Sequence, residues 1–342
     1  MKIAVLCGGL SNERDVSITS GSCVARALRD RGHKVVLVDL FCGYNGEYND
    51  ANELFETEQA DLTYSVSEEA PDLNKLLEES NGIRIGANVI DICKAADICY
   101  LALHGEEGEN GKLQAVLDMY GIKYTGSGYI GSALAMNKEL SKIQFRANGI
   151  PTPPGIILEE RAKPYEEVGF PCVVKPCSGG SSVGTSVVYS REEYEEAVDL
   201  AFKYESRVLV EKYVKGRELT VGIMDGRAMT VMEIIPKTGF YDYKNKYQAG
   251  LTEELCPAPL SAEDTARVQR LGEKVMQALM VDVYCRADFL MDETDGELYC
   301  LEANTLPGMT PTSLIPQMAA EQGMNFGEVC EKIIAVSMEK YK

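Results

Sequence analysis

The residues of this chain best suited to chemistry lie near its C-terminus, in two strand-like runs separated by a turn. The runs are Cys285–Phe289 and Leu301–Thr305, and the polar stretch Asp292–Gly296 between them predicts a β-hairpin. A three-residue loop, Thr294–Gly296, with Gly296 in the left-handed conformation, would set the pairing of the two strands. A two-residue loop would shift that pairing by one residue, so the loop length decides which side chains face each other.

With the three-residue loop, Asp288 lies opposite Glu302 and Arg286 lies opposite Asn304, all on one face of the hairpin. Two carboxylates, an amide and a guanidinium then converge. Hard oxygen ligands of this kind suit Mg²⁺, which commonly binds through one or two carboxylates plus substrate phosphates. A solvated charged face is the ordinary alternative for an isolated hairpin. The run Leu306–Met309 and the motifs upstream favour the metal site instead.

The composition is that of a globular protein large enough for two or three domains, with 342 residues, 45% hydrophobic and 25% charged. Its net charge of −19 argues against a nucleic-acid partner, which would require clustered Lys and Arg. The first apolar run is too short for a signal peptide, and no segment is long enough to span a bilayer. The eleven cysteines include no C-x-x-C pair, so we expect free thiols in a reducing cytoplasm.

The order of elements indicates an open parallel α/β domain followed by α+β units. Strand-like runs at 2–7, 35–38 and 98–103 alternate with helical periodicity, which is a βαβ arrangement. One helical stretch is expected near 127–150, and the polar stretch 41–80 fits no element. Later strands are expected near 172–176, 185–189, 208–213, 217–224 and 228–235, with helices near 191–204, 262–280 and 325–340.

Two glycine-rich loops follow N-terminal strands, at Gly8–Ser17 and His104–Gly111. Ligands of open parallel sheets bind at this end of the strands. The first loop lacks the G-x-G-x-x-G spacing of a dinucleotide site, so an NAD-dependent enzyme ranks low. Glu13 either binds a substrate ammonium or compensates the charge of a helix N-terminus. His104 is one of only two histidines and lies at this functional edge.

Three later stretches add candidates for binding a nucleotide. Lys175 precedes the loop Gly179–Gly184, whose backbone N–H groups can close over phosphates. The strand end Glu211–Val214 offers backbone groups for an adenine, and Glu218 offers a carboxylate for ribose hydroxyls. The polar, aromatic stretch Phe240–Tyr247 has the length of a lid. Each stretch has an ordinary surface alternative when taken alone.

Taken in order, these motifs resemble the D-alanine–D-alanine ligases of the ATP-grasp superfamily, and the resemblance covers essentially the whole chain. The motifs that carry it are Gly8–Ser17, His104–Gly111, Met136–Lys138, Lys175–Gly184, Glu211–Tyr213, Phe240–Tyr247, Arg286–Asp288 and Glu302–Met309. The resemblance implies an N-terminal open parallel α/β domain, residues 1–126. A two-part ATP-grasp fold would follow, residues 127–211 and 212–342, with ATP between two antiparallel sheets.

The activity implied by the resemblance is the ATP-dependent ligation of two D-alanine molecules in the cytoplasm, for peptidoglycan and cell-wall synthesis. ATP would phosphorylate the carboxylate of one D-alanine, and the amine of the second would attack the acyl phosphate. The resemblance also implies two Mg²⁺ or Mn²⁺ ions and a homodimer. A D-alanine–D-serine or D-alanine–D-lactate ligase is the nearest alternative. A non-catalytic nucleotide-binding protein on the same scaffold is a more distant one.

The resemblance assigns most of the motif residues to ATP and to the metal ions. The ATP-binding residues it implies are Lys138, Lys175, Ser182, Glu211, Lys212, Tyr213, Val214, Glu218 and Lys246. The metal ligands it implies are Asp288, Glu302 and Asn304.

The remaining residues are assigned to the two D-alanine molecules. Glu13 would bind the ammonium group of the first, beside His104. Arg286 and the backbone N–H of Gly308 would stabilise the oxyanion of the tetrahedral intermediate. The carboxylate of the second would be bound by two residues, Ser313 and Leu314.

The lid bears on which acceptor is used. Glu13, Ser181 and Tyr247 would form a hydrogen-bonded triad that pins the lid shut and keeps water from the acyl phosphate. Within the family, a Tyr at position 247 goes with D-alanine as the second substrate. D-lactate is therefore excluded more firmly than D-serine.

Overall fold

The structure is a computed structural model that describes residues 1–57, 77–78, 80–160, 167–180, 183–237 and 251–342. Of the helices in these ranges, none combines the length and the apolar composition that a membrane span requires. The expected lid lies outside the described residues. So do four residues of the implied site, Ser181, Ser182, Lys246 and Tyr247.

The N-terminal sheet is parallel, as the sequence predicts. Its strand order is β2-β1-β3, built from β1 (Lys2–Cys7), β2 (Lys34–Asp39) and β3 (Ile98–Leu101). The strands read as continuous apolar runs because parallel strands are buried on both faces. Helix α1 (Arg14–Asp30) connects the first two strands and packs on them. The loops after β1 and β3 therefore emerge at the same edge of the sheet.

The expected helical stretch near 127–150 is two helices rather than one. Asn137 ends the first and caps the second, because its side chain accepts a hydrogen bond from the N–H of Leu140. The unplaced stretch near 41–80 contains a short 3₁₀ helix, Ala51–Glu56. The remaining helices of the described ranges are α2 (Val89–Ala95), α3 (Glu106–Glu109), α4 (Lys112–Met119), α5 (Tyr129–Met136), α6 (Lys138–Ala147), α7 (Arg191–Ala201), α8 (Ala262–Ala278), α9 (Leu314–Ala320) and α10 (Phe326–Glu339).

Two antiparallel sheets follow the parallel one, which confirms the predicted fold class. Their strand orders are β4-β7-β5-β6 and β10-β9-β8-β11-β12. Each strand predicted from residue 172 onward is present, whereas β4 and β10 were not predicted. The strands are β4 (Gly155–Leu158), β5 (Cys172–Pro176), β6 (Ser186–Val188), β7 (Val208–Lys212), β8 (Gly216–Met224), β9 (Arg227–Pro236), β10 (Thr252–Leu255), β11 (Tyr284–Asp292) and β12 (Leu298–Asn304).

The C-terminal hairpin has the predicted pairing at its functional end but reaches it through a different loop. The loop has four residues between Asp292 and Glu297, whose backbones are joined by a hydrogen bond from the Asp292 N–H to the Glu297 carbonyl oxygen at 2.9 Å. Gly296 is left-handed as predicted, with φ 71°. This loop alone would leave the pairing one residue out of register. A β-bulge at Leu301 restores the predicted pairing of the four polar residues.

The bulge also changes which way the side chains of β12 point. Cys300 and Ala303 are three residues apart, yet both lie in the hydrophobic core beneath the sheet. The two residues between them, Leu301 and Glu302, both line a cavity between the antiparallel sheets. A regular strand alternates its faces and would not do this. The bulge therefore delivers one extra side chain to the cavity.

Packing of α1 on the parallel sheet supplies a test of the fold. A Cβ atom at Gly21 would lie 2.5 Å from the Cβ of Cys7 and 3.2 Å from the Cδ1 of Leu37. We expect Gly21→Val to lower the free energy of unfolding by about 2 kcal/mol or more, since overfilling a packed core forces side chains and backbone apart. Urea denaturation measures the change. Its neighbour Ser22, which is only partly buried, provides the control. Ser22→Val should change the free energy of unfolding by only about 0.5 kcal/mol. Equal losses in the two variants would contradict the prediction.

Candidate active site

A cavity of about 430 Å³ lies where the carboxyl edge of the parallel sheet meets the C-terminal hairpin and the chain that follows it. The lining combines carboxylates, cations and hydroxyl groups drawn from all parts of the sequence. Nine residues named from the sequence line it: Glu13, His104, Lys138, Arg286, Glu302, Asn304, Gly308, Ser313 and Leu314.

A second cavity, of about 550 Å³, lies between the two antiparallel sheets. Lys138 and Glu302 line both cavities, so the two adjoin. Every described residue that the resemblance assigns to ATP lines the second cavity. These residues are Lys138, Lys175, Glu211, Lys212, Tyr213, Val214 and Glu218.

Asp288 is the centre of the polar face of the hairpin. Arg286 binds it in a bidentate manner, with its Nε and Nη2 atoms each 2.9 Å from a carboxylate oxygen. The Asn304 amide donates a hydrogen bond at 2.9 Å, and the Thr220 hydroxyl donates one at 2.7 Å. The structure thus brings together the side chains that the hairpin register predicted.

The donors on this face fit a hard divalent cation. Asp288 and Glu302 pair directly across the two strands, and Asn304 follows on the same face. Carboxylate and amide oxygens are the ligands that Mg²⁺ prefers. The described residues include no group of three His, Cys, Asp or Glu side chains that could hold a metal ion. Lys138, whose Nζ atom lies 3.2 Å from Glu302, compensates one of the carboxylates.

The run Leu306–Met309 is held in place by the N-terminal sheet. The Nδ1 atom of His104 donates to the Leu306 carbonyl oxygen at 2.8 Å, which leaves its Nε2 atom to accept from the Ser20 hydroxyl at 2.9 Å. Burial lowers the pKa of His104 and so favours the neutral ring that this arrangement needs. The Ser20 oxygen in turn accepts the N–H of Met309 at 3.3 Å. These bonds bracket the glycine N–H expected to stabilise an oxyanion.

Glu13 faces the cavity from the loop after β1. The Ser11 hydroxyl orders this loop by donating to the His104 carbonyl oxygen at 2.7 Å, while its oxygen accepts the Glu13 N–H at 3.2 Å. The carboxylate makes no capping bond to α1. Its Oε2 atom lies close to the backbone of both Gly105 and Gly180, since a Cβ atom added at either would be 3.0 Å away. Glu13 therefore adjoins two loops at once.

Comparison with known proteins agrees with this geometry. Two family models match the chain, "D-ala D-ala ligase N-terminus" over residues 2–127 and "D-ala D-ala ligase C-terminus" over residues 146–335. A D-alanine–D-alanine ligase of Pediococcus pentosaceus is 40% identical over 348 residues, covering 100% of this chain and 99% of the relative. One of Geobacter sulfurreducens is 41% identical over 345 residues, covering 100% of this chain and 95% of the relative.

A solved structure agrees as well. The D-alanine–D-alanine ligase of Bacillus anthracis complexed with ATP superposes with a TM-score of 0.76 at 31% identity. The match covers 99% of this chain and 97% of the other. The chain belongs to the D-alanine–D-alanine ligase family. Its two antiparallel sheets are accordingly an ATP-grasp fold.

Two charged residues of this candidate site were not predicted from the sequence. Lys142 lies one turn after Lys138 on α6, and its Nζ atom is 2.6 Å from the Glu211 carboxylate. The i, i+4 spacing of the two lysines was a usable signal, because it places both on one helix face. Glu109, in the second glycine-rich loop, lines the first cavity.

Glu109 is a buried carboxylate that joins two loops of the ligase site. Its Oε2 atom accepts the N–H of Gly105 at 2.8 Å, and its Oε1 atom accepts the N–H of Leu306 at 3.0 Å. Burial, and next the negative charge of Glu13, raise the pKa of Glu109 from 4.5 to about 7. Glu109 therefore titrates near neutrality inside the site.

This raised pKa predicts how stability depends on pH. Between about pH 4.5 and 7, the folded protein retains a proton on Glu109 that the unfolded chain has released, so this residue costs stability as the pH rises. Glu109→Gln removes the titration. We expect the free energy of unfolding of the variant, minus that of the wild type, to increase by about 3 kcal/mol across this window.

Urea denaturation of both proteins at several pH values measures this difference. The lowered pKa of His104 acts in the opposite direction, because its stability contribution is lost as the pH falls below the unfolded value. Since His104 is present in both proteins, its contribution cancels. A difference that stays constant with pH would contradict the prediction.

Proposed function

We propose that this protein joins two D-alanine molecules into D-alanyl-D-alanine in the cytoplasm, with the conversion of ATP to ADP and phosphate, to supply peptidoglycan precursors. The observation that carries this proposal is the pair of adjoining cavities that share Lys138 and Glu302. One cavity offers groups for amino acids, and the other offers lysines and a strand edge for a nucleotide. Membership of the ligase family supports the same conclusion.

The nucleotide would occupy the cavity between the antiparallel sheets. The strand end Lys212–Val214 would frame the adenine through its backbone groups, and Glu218 would bind the ribose hydroxyls. Lys138 and Lys175 would contact the phosphates as point charges. Ser182 and Lys246 remain predicted contacts from the sequence.

The hairpin face would hold two Mg²⁺ or Mn²⁺ ions through Asp288, Glu302 and Asn304. Bound there, the ions would neutralise phosphate oxygens and orient the γ-phosphoryl group. The chain itself contributes the neighbouring cations. Lys138 lies against Glu302 and Arg286 against Asp288, so each of the two carboxylates already has a cation beside it.

The first chemical step makes a carboxylate reactive. A carboxylate oxygen of the first D-alanine attacks the γ-phosphorus of ATP, the bond from that phosphorus to the ADP oxygen breaks, and an acyl phosphate forms. Glu13 would bind the ammonium group of this D-alanine and so orient it. Lys138 and Lys175 would neutralise the charge that builds up during the transfer.

The second step forms the peptide bond. The amine of the second D-alanine attacks the acyl carbon, a tetrahedral intermediate forms, and phosphate leaves as the nitrogen loses a proton. Arg286 and the Gly308 N–H would stabilise the oxyanion. The carboxylate of the second D-alanine would be bound by Ser313, whose hydroxyl lies 2.8 Å from that of Thr310, and by the backbone of Leu314.

Other parts of the proposal rest on the resemblance alone. The triad of Glu13, Ser181 and Tyr247 would hold the lid closed over the acyl phosphate. The protein would act as a homodimer. Its domains would divide after residues 126 and 211, and it would require no nucleic acid or membrane.

Phosphate release from Mg·ATP tests the proposed function. The assay is run with D-alanine, L-alanine, D-serine or D-lactate, alone and in pairs with D-alanine, and each product is identified by mass. We expect release with D-alanine alone, giving the dipeptide. A mixed product that predominates when D-serine or D-lactate is present would transfer the protein to the alternative ligases. Absence of release despite ATP binding would refute the ligase activity.

Replacement of the proposed oxyanion ligand gives a second test. Arg286→Ala should lower kcat by about 10² or more, because loss of one oxyanion donor costs this much in comparable sites. The KM for ATP should change far less, since Arg286 lines the amino-acid cavity and not the nucleotide cavity. Arg267→Ala, on α8, is the control and should keep wild-type turnover. Near wild-type turnover of the Arg286 variant would remove the residue from the mechanism.

A further inference from the structure

Three charged side chains meet at the floor of the nucleotide cavity, and the proposed chemistry uses only one of their charges. Lys142, Lys175 and Glu211 are 1%, 8% and 2% exposed. The Glu211 carboxylate lies between the two ammonium groups, with Oε1 2.5 Å from Lys175 and Oε2 2.6 Å from Lys142. Burying a charged side chain is costly unless an opposite charge lies beside it. The two ion pairs of Glu211 must therefore offset the cost of burying all three groups.

The two lysines differ in what else they contact. The Nζ atom of Lys142 also donates to the Thr152 hydroxyl at 2.7 Å and to the Pro153 carbonyl oxygen at 2.8 Å. The ion pair with Glu211 is its third contact. Lys175 lines the nucleotide cavity, and Lys142 lies behind that lining. Lys142 is therefore held by three groups of the protein, whereas Lys175 faces the cavity.

The charges of the three groups depend on one another. Burial lowers the pKa of Lys142. Burial would also lower the pKa of Lys175, but the charges of Glu211 and Glu302, with the hydrogen bond to Glu211, together outweigh burial and the net shift is upward. Burial would raise the pKa of Glu211, but Lys175 and Lys142 outweigh it and the net shift is downward. The net shifts of Lys175 and Glu211 therefore favour the charged form of each, and the Glu211 carboxylate, 2.6 Å from Lys142, opposes the loss of charge from that lysine.

We propose that Lys142 is a positioning residue that holds the Glu211 carboxylate so that Lys175 is free to bind the phosphates of ATP. When Lys175 turns towards a phosphate, Glu211 loses one of its two cations. Lys142 then keeps Glu211 from becoming an unpaired buried anion. In this arrangement the carboxylate of Glu211 serves as a counter-charge, and only the backbone of its strand frames the adenine.

The inference rests on the proposed use of ATP and makes a distinctive prediction for paired variants. In Lys142→Met, Glu211 has Lys175 as its only cation, so releasing Lys175 to ATP exposes an uncompensated charge. We expect ATP to bind at least about tenfold more weakly, with the KM for D-alanine changed little. In the double variant with Glu211→Gln, the carboxylate between the two lysine positions is gone. We expect it to recover most of the lost affinity.

Direct titration with Mg·ATP, by calorimetry and in the absence of D-alanine, measures these affinities apart from ligation. Lys332→Met, on the exposed face of α10, is the matched control and should bind ATP as the wild type does. Recovery in the double variant supports the proposal, because a purely structural lysine would leave the double variant as weak as Lys142→Met or weaker. Failure to recover would overturn it.

A second comparison keeps the test decisive if Lys142→Met does not fold. Once Glu211→Gln has removed the anion, Lys142 has no charge left to hold. Adding Lys142→Met to Glu211→Gln should then weaken ATP binding by less than about threefold, and a tenfold loss would overturn the proposal. The result of this binding test can be told apart from the result of the phosphate-release assay. A wild-type protein that binds ATP but makes no dipeptide would refute only the ligase reaction.

Discussion

The register between β11 and β12 is the constraint on which the site depends. A single bulged residue, Leu301, brings Glu302 opposite Asp288, and a slip of one residue would turn these side chains to the other face of the sheet. The same bulge keeps Cys300 and Ala303 in the core while two neighbours enter the cavity. Because Glu302 lines both cavities, one strand pair sets the relative position of the nucleotide and amino-acid sites.

Charge compensation explains how so acidic a protein can receive a polyanion. The chain carries a net charge of −19, yet cations gather in and behind the lining of the two cavities, and four of them are paired with carboxylates that line a cavity. The pairs lower the cost of burying the cations before ATP is present, and phosphates would take over as partners of the lysines that line the nucleotide cavity. These pairs are Lys138 with Glu302, Lys142 and Lys175 with Glu211, and Arg286 with Asp288.

Much of the architecture could be predicted because its signals are local. Apolar runs such as Ile98–Leu103 identify buried strands, and the spacing of Arg286 and Asp288 identifies a shared strand face. The bulge at Leu301 had no such signal, since it compensates for a loop whose length the sequence leaves open. Lys142 could be placed on its helix, but its partner Glu211 lies 69 residues away in sequence. Residue type alone does not reveal such a partner.

The loop that carries the proposed oxyanion donor is also held by partners that are distant in sequence. The backbone of Leu306 is bonded by His104 and by Glu109, 202 and 197 residues earlier, and Met309 is bonded by Ser20, 289 residues earlier. The C-terminal part of the chain thus supplies the Gly308 N–H, while the N-terminal part orients it. Neither part alone fixes this donor in space. The site is complete only when the parallel sheet is docked against the ATP-grasp fold, which explains why the glycine-rich loops accompany the hairpin in one chain.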